Sequence, residues 1–245
     1  MIVLAHLSDL HLDAGERSQA RAARVFAYLD GLRDEIDAVL VTGDLADHGL
    51  AEEYNTVAKF FGGRPLHCPG NHDARGPYRE VLLGEPASEE PINQVHRVGG
   101  AVFALCDSTI PGRDDGHLDD ETLAWLESVL TGAAGAPVFV CFHHPPVDLH
   151  IPYVDGIRQS GEDRLAALLS RHPNVVAILC GHAHTAAAST FAGLPLLVAP
   201  GVVSTILLPW ESEQVVDLAA PPAIAFHVLA DDGRLTTHYR VIPAG

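Results

Sequence analysis

Apolar and polar positions along the 245-residue chain fall into two alternating rhythms. Short apolar runs bounded by glycine or proline occupy Ile2–Leu7, Ala38–Thr42, Pro65–Cys68, Ala101–Cys106, Pro137–Phe142, Val175–Cys180 and Leu194–Val198, and such runs predict buried strands. Between them apolar residues recur at helical spacing. Glu16–Ile36 carries Val25, Leu29, Leu32 and Ile36 on one stripe; Leu50–Phe61, Asp119–Leu130 and Glu162–Ser170 keep the same period. The last two open on acidic turns, which suit a helix N-terminus. Strand and helix in alternation predict β-α-β units. The end of the chain changes rhythm: Ala225–Ala230, the turn Asp231-Asp232-Gly233 and Thr236–Val241 predict a hairpin beginning at about residue 224. No linker, repeat or low-complexity tract interrupts the pattern, so residues 1–245 are expected to form a single domain.

Five of the apolar runs are followed at once by side chains that bind metals. The segments are Asp9-Leu10-His11, Gly43-Asp44, Gly70-Asn71-His72-Asp73, His143-His144 and Gly181-His182-Ala183-His184. In open α/β sheets, ligands gather at the carboxyl ends of strands, so five stretches of chain can deliver side chains to one place. Two Asp, one Asn and four His form an oxygen/nitrogen set without thiolate, which suits zinc, manganese, iron, cobalt or nickel better than calcium. Seven donors are too many for one ion and suit two ions sharing a carboxylate, the usual machinery of phosphoester hydrolysis. Singly, each segment reads better as a turn or a helix start than as a ligand, since Gly, Asp and Asn favour turns.

The ordered set D-x-H, G-D-x-x-D, G-N-H-D, H-H-P and G-H-x-H resembles the calcineurin-like metallophosphoesterases, over positions 9 to 184. Within that family the compact chain and its His-His-Pro-Pro segment are similar to the bacterial class III cyclic nucleotide phosphodiesterases. The resemblance implies an α/β fold of two facing mixed β-sheets flanked by helices, a four-layer α/β/β/α sandwich. It implies that Asp9, His11, Asp44 and His184 hold one transition-metal ion (Fe, Mn or Zn). Asp44, Asn71, His143 and His182 would hold the second, with Asp44 bridging. Within His143-His144 the family motif selects His143, and strand alternation agrees that neighbours cannot both face one point.

The resemblance also implies roles for two residues outside the ligand set. His72 would protonate the leaving oxygen in an in-line attack by a metal-activated water; histidine changes charge near neutrality. Asp47, the second Asp of G-D-x-x-D, would pair with His72 and favour its imidazolium; its other reading is a helix cap before Leu50–Phe61. The protein Ser/Thr phosphatase branch has Arg after this second Asp and Glu closing its Gly-Asn-His motif, where this chain has His48 and Asp73. Without an arginine clamp the site suits a phosphodiester monoanion better than a phosphomonoester dianion. The function implied is hydrolysis of 3′,5′-cyclic nucleotides, cAMP first among them, to 5′-nucleotides. A broader phosphodiesterase acting on glycerophosphodiesters or nucleotide anhydrides is the alternative. A metal-stabilised interaction module would have no need of His72.

Composition narrows the classes further. The formal charge of −17, with no basic cluster, argues against binding a nucleic acid duplex and leaves room for a small anionic phosphodiester at a locally positive metal site. No apolar run approaches the ~20 residues of a membrane span, so no membrane partner is expected. The chain opens directly on a strand, no leader is expected, and a cytoplasmic location follows. Cys68, Cys106, Cys141 and Cys180 all lie in apolar runs and read as buried small side chains. Two irregular stretches flank the motifs. Pro145–Gly161 holds Asp148, His150 and Tyr153, with His150 read as a surface residue; Gly201–Pro222 holds Trp210. Loops around a rigid site set specificity, although packing would equally account for Tyr153 and Trp210. The apolar Val202–Trp210 segment suits core, a lid or the surface of a homodimer.

Overall fold

The computed structural model describes residues 1–33 and 36–243. β1 (Ile2–Leu7) leads through α1 (Glu16–Asp30) to β2 (Ala38–Thr42), and α2 (Ala51–Phe61) leads on to β3 (Leu66–Cys68). After α3 (Arg75–Tyr78) and a π-helical turn (Arg79–Leu83) come β4 (Gln94–Val98), β5 (Ala101–Leu105) and the two-residue β6 (Gly116–His117). Then follow α4 (Asp120–Gly132), β7 (Val138–Cys141), α5 (Pro152–Asp155), β8 (Gln159–Ser160), α6 (Glu162–Leu169) and β9 (Val175–Cys180). The last part holds β10 (Ala187–Phe191), β11 (Leu194–Val198), β12 (Thr205–Ile206), β13 (Val216–Asp217), β14 (Ala223–Leu229) and β15 (Leu235–Val241).

Two mixed sheets carry the molecule. One has the order β15-β14-β1-β2-β3, the other β10-β11-β9-β7-β5-β4. Leu4, Leu40 and Cys68 of the first pack against Phe103, Phe139, Cys141 and Leu179 of the second, with the Phe103 and Phe139 rings stacked at 5.0 Å. The outer face of the first sheet is covered by Val25 and Phe26 of α1 and Tyr54, Val57 and Phe61 of α2. That of the second is covered by Leu126 and Leu130 of α4 and Leu165 and Leu169 of α6. The result is four layers, helices–sheet–sheet–helices, as the resemblance implied. β1–β2–β3 and β5–β7–β9–β11 run parallel within their sheets. Their carboxyl ends therefore open on a common edge.

The differences from the sequence reading have local causes. α1 ends at Asp30, because Gly31 leaves the helix with its N–H bonded back to Ala27. Leu32 and Ile36 thus fall beyond the helix, while Asp34 and Glu35 lie outside the described residues. α2 begins one residue later than expected, with the Glu53 carboxylate accepting from the Leu50 N–H at 3.2 Å. Asp119 caps α4 by accepting from Thr122 N–H. β4 and β10 carry no apolar run: they are the outer strands of their sheet and alternate half-buried with exposed residues. Among the described residues no helix is long and apolar enough to cross a membrane.

One polar row crosses the first sheet. Thr237 of β15, His227 of β14, His6 of β1 and Thr42 of β2 are linked side chain to side chain at 2.8, 3.0 and 2.9 Å. Both imidazoles are buried, which pushes His227 down to about 4; burial and then His227 push His6 well below its ordinary value. Buried polar groups are tolerated when hydrogen-bonded, and here each ring nitrogen has a partner. The neutral native ring faces an unfolded ring that gains a proton as pH falls below ~6.5. Stability should therefore be full above that pH and decline as pH drops toward about 4. Urea denaturation of His227→Asn and the parent between pH 6 and 4.5 should show the variant's stability falling less steeply, by about one proton. Parallel slopes would show that His227 does not titrate on unfolding.

Candidate metal centre

The donors stand at the ends of β1, β2, β3, β7 and β9, and the backbone turns sharply to aim them. Among the described residues eight non-glycine residues have positive φ, and five of these are Asp9 (56°), His11 (41°), Asp44 (51°), His182 (68°) and His184 (49°). Such conformations cost ~1–3 kcal/mol each and persist where the surroundings hold them. The loops after β1 and β2 stay paired beyond their strands: Asp9 N–H donates to Gly43 O and His11 N–H to Asp44 O. Glycine is required at two close approaches. A Cβ on Gly43 (φ 89°) would enter the His143 ring, and one on Gly70 would collide with the backbone and carboxylate of Asp44.

Asp44 stands at the centre. Its Oδ2 lies 3.3 Å from Nε2 of His11 and 3.3 Å from Nε2 of His143. Its Oδ1 accepts from the His72 N–H at 2.9 Å. Donor atoms of Asp9, His11, Asp44 and His184 all lie within 4.8 Å of one another. Three imidazoles are anchored through Nδ1 and present Nε2 to this centre. His143 Nδ1–H donates to Thr42 O at 2.6 Å, His11 Nδ1 bonds Asp47 Oδ1 at 2.8 Å, and His184 Nδ1 bonds Ser204 Oγ at 2.8 Å. A partner on the distal nitrogen is the arrangement that orients ligating histidines.

Asp9 Oδ2, Asn71 Oδ1, His143 Nε2 and His182 Nε2 are buried and lack any hydrogen-bond partner in the protein. Four such atoms from four strand ends, beside two carboxylates, fit a donor set for cations and not a closed polar network. The electrostatics agree. Burial pushes the Asp9 carboxyl up to about 6. Burial also acts on Asp44 and His11, but it is outweighed: His143 and His11 hold Asp44 well below the usual carboxylate range, and bonds to Asp44 and Asp47 raise His11 to about 10. Burial, and then the neighbouring rings of His143 and His11, push His182 and His184 down to about 3, the neutral form that ligates metals.

His144 is separated from its neighbour by its bonds. Nδ1 meets Ser108 Oγ at 2.8 Å and Nε2 meets Asp114 O at 3.2 Å, so both nitrogens are engaged although the ring lies near His143 and His182. All four cysteines are free and buried; burial pushes their thiols up and leaves them in the core.

Asp47 and His72 are paired, but the Asp47 carboxylate is shared with His11. The Asp47 carboxylate bonds His11, and its Oδ1 stands 3.8 Å from His72 Nδ1. It is the Asp47 backbone carbonyl that accepts from His72 Nδ1–H, at 2.8 Å. The turn after β2 points the side chain inward and the carbonyl outward. Asp47 is not a helix cap either, since Leu50 occupies that position. His72 sits edge-on to the His11 ring at 4.5 Å and is 40% exposed, lining a 330 Å³ cavity with His11, Asp13, Arg17, Asp47, His184, Ser204 and Leu218.

Three supports had no role in the sequence reading. Asp73 accepts from the N–H groups of Leu45, Ala46 and Gly70 and from Tyr54 OH, tying the turn after β2 to that after β3. Burial and the Asp44 charge push it up to about 6. Its place in Gly70-Asn71-His72-Asp73 was visible, its partners were not. Thr42 O and Ser204 carry no local sequence signal. Trp210 and Tyr153 are exposed, at 72% and 58%, so packing does not account for them; His150 is exposed as expected.

The family model of the calcineurin-like phosphoesterases matches residues 2–186. A glycerophosphodiester phosphodiesterase, GpdQ, of Enterobacter lignolyticus is 32% identical over 240 residues, covering 92% of this chain and 86% of that protein. A probable cyclic nucleotide phosphodiesterase of Rhodococcus erythropolis is 35% identical over 215 residues, covering 82% and 71%. Among solved structures, a dimetal phosphatase from Danio rerio superposes with a TM-score of 0.74 at 16% identity, covering 99% of this chain and 96% of that one, and so shares the fold. With its motifs gathered at one edge of the two sheets, the chain belongs to the calcineurin-like phosphoesterase family.

Proposed function

We propose that this chain is a dinuclear metal-dependent phosphodiesterase that opens 3′,5′-cyclic nucleotides, cAMP first among them, to 5′-nucleotides. The observation that carries the reading is the Asp44 oxygen 3.3 Å from one imidazole nitrogen of each group of donors. Asp9, His11, Asp44 and His184 would hold one ion, and Asp44, Asn71, His143 and His182 the other, the ions being Fe, Mn or Zn. Bound there, two such ions supply Lewis acidity to the phosphoryl oxygens and lower the pKa of a water toward neutrality.

The chain's own groups do the rest. His72 donates Nδ1–H to the Asp47 carbonyl, which fixes the ring and leaves Nε2 toward the cavity, placed to give a proton to the departing ester oxygen. Asp47, through its carboxylate, holds His11 in place. Among the described residues Arg17 is the one lysine or arginine lining that cavity, and its Nη2 is engaged with two backbone carbonyls. With His48 where a phosphatase has arginine, the site favours a diester monoanion over a monoester dianion. A cytoplasmic location belongs to the same proposal, supported by four cysteines that remain free. The Enterobacter relative favours a second reading, hydrolysis of glycerophosphodiesters. Rates on cAMP and glycerophosphocholine with the metal-replete protein, and identification of the product, separate the two; 5′-AMP from cAMP at the higher kcat/KM is the expected result.

Exhaustive chelation should abolish activity, and added Mn²⁺ should restore it with two ions per chain by elemental analysis; full activity without metal would end the dinuclear reading. His143→Ala should lose one of the two ions. His144→Ala should keep both and lose stability instead, because it leaves the buried Ser108 hydroxyl without its partner. Metal content after gel filtration decides between them.

The His72 role is tested by leaving group. His72→Ala should lower cAMP turnover by ~10²–10⁴ while largely sparing bis(p-nitrophenyl) phosphate, whose leaving group departs as an anion. Both ions should remain. Asp47→Asn should act differently, weakening metal binding through His11 and slowing both substrates. Equal losses on both substrates for His72→Ala, with metal retained, would assign His72 to phosphate positioning.

A further inference from the structure

α1 carries two arginines one turn apart, Arg17 lining the cavity beside the metal centre and Arg21 buried behind it, and neither is hydrogen-bonded to a donor side chain. Arg17 Nη2 donates to Val203 O and to Leu218 O, both at 2.6 Å. Arg21, 7% exposed, donates from Nε to Val202 O at 2.7 Å and from Nη2 to Ala220 O at 2.6 Å. Each guanidinium thus joins the two ends of one flap. That flap is the β12–β13 ribbon, with Leu207 N–H bonded to Val215 O and Trp210 exposed at its tip.

The carbonyls of Val202 and Val203 face the arginines, and their N–H groups face β1. Val202 N–H donates to Ser8 O and Val203 N–H to Asp9 O, both at 3.0 Å. The next residue, Ser204, is buried and holds His184 Nδ1 at 2.8 Å. Thr185, beside His184, donates its hydroxyl to Ile206 O. Residues 202–204 are therefore clamped between two guanidinium groups and the two strand ends that carry Asp9 and His184. Among the described residues, no hydrogen bond from the flap reaches Asn71 or His143.

We propose that Arg17 and Arg21 are positioning residues that act through the flap on His184 and Asp9, and so set the affinity of one of the two metal positions while leaving the other alone. The inference rests on the dinuclear reading above. The Arg21 guanidinium spans its two carbonyls from Nε and Nη2, a fork that an ammonium cannot hold, whereas Arg17 reaches both of its carbonyls from Nη2 alone. Loss of Arg17 frees the flap ends, and with them the serine that keeps the His184 ring turned so that Nε2 faces Asp9 and His11. Groups that orient metal-binding histidines are typically worth 10–100-fold in affinity.

The test is a two-step Mn²⁺ titration by calorimetry on chelator-treated, metal-free protein, with hydrogen exchange of the 201–206 amides and thermal melting read on the same samples. Arg17→Ala should weaken one Mn²⁺ step by about 10-fold or more and leave the other within about 2-fold. Exchange at residues 201–206 should rise. Arg17→Lys should restore part of the loss, since both bonds leave one nitrogen. Ser204→Ala should weaken the same step without raising flap exchange to the same extent. Should Arg21→Ala not fold, these three variants carry the test. Two steps unchanged in both Arg17→Ala and Ser204→Ala would overturn the inference while the dinuclear reading stands. Both steps weakened alike would also overturn it. A parent protein binding fewer than two Mn²⁺ would overturn the dinuclear reading and this inference with it.

Discussion

A single carboxylate oxygen has to face two groups of donors at once, and the fold is arranged so that Asp44 can do so. It follows β2, which lies between β1 and β3, so donors from both neighbours arrive beside it. The second sheet brings His143 and His182 from the opposite side. Such a placement leaves no room for side chains on the residues that pass between, which is why Gly43 and Gly70 stand there. It also forces the left-handed turns at Asp9, His11 and Asp44. Asp73 offsets part of that cost by taking three backbone N–H groups from the two turns.

Charge at the site runs against charge on the surface. The chain carries −17 overall, yet its buried carboxylates Asp9 and Asp44 are matched by His11 and His143, which they hold toward the charged form, while burial keeps His182 and His184 neutral. Two bound cations would reverse the local sign, drawing in a small anion while the acidic exterior repels polyanions.

Much of this was legible in the residues. Buried parallel strands read as unbroken apolar runs, so β1, β2, β7, β9 and β11 appear within a residue of their observed bounds. The motifs follow because strand ends are where the chain must expose a donor. What could not be read are interactions between residues far apart in sequence. Ser204 meets His184, Thr42 O meets His143, and Arg21 meets Ala220, and nothing local marks any of them. β4 and β10, at the sheet margins, lack the apolar signal altogether. The sharing of Asp47 between His72 and His11 is hidden for a related reason: a motif names the residue, but the turn decides which of its oxygens lies nearest each ring.

β1 carries Asp9 and His11, yet its antiparallel neighbour is β14, and the polar row ties His6 to His227 across 221 positions of sequence. During synthesis the first strand emerges long before its partner exists. Until then one margin of β1 offers unpaired N–H and C=O groups, the kind of edge that recruits other chains. Loop closure over such a span is slow, since its entropy is lost before the contact returns anything. The donors at the end of β1 are therefore made well before the strand that completes the sheet beside them. A metal ion that met the growing chain early would find scattered donors, ordered only once the β14–β15 hairpin has paired with β1.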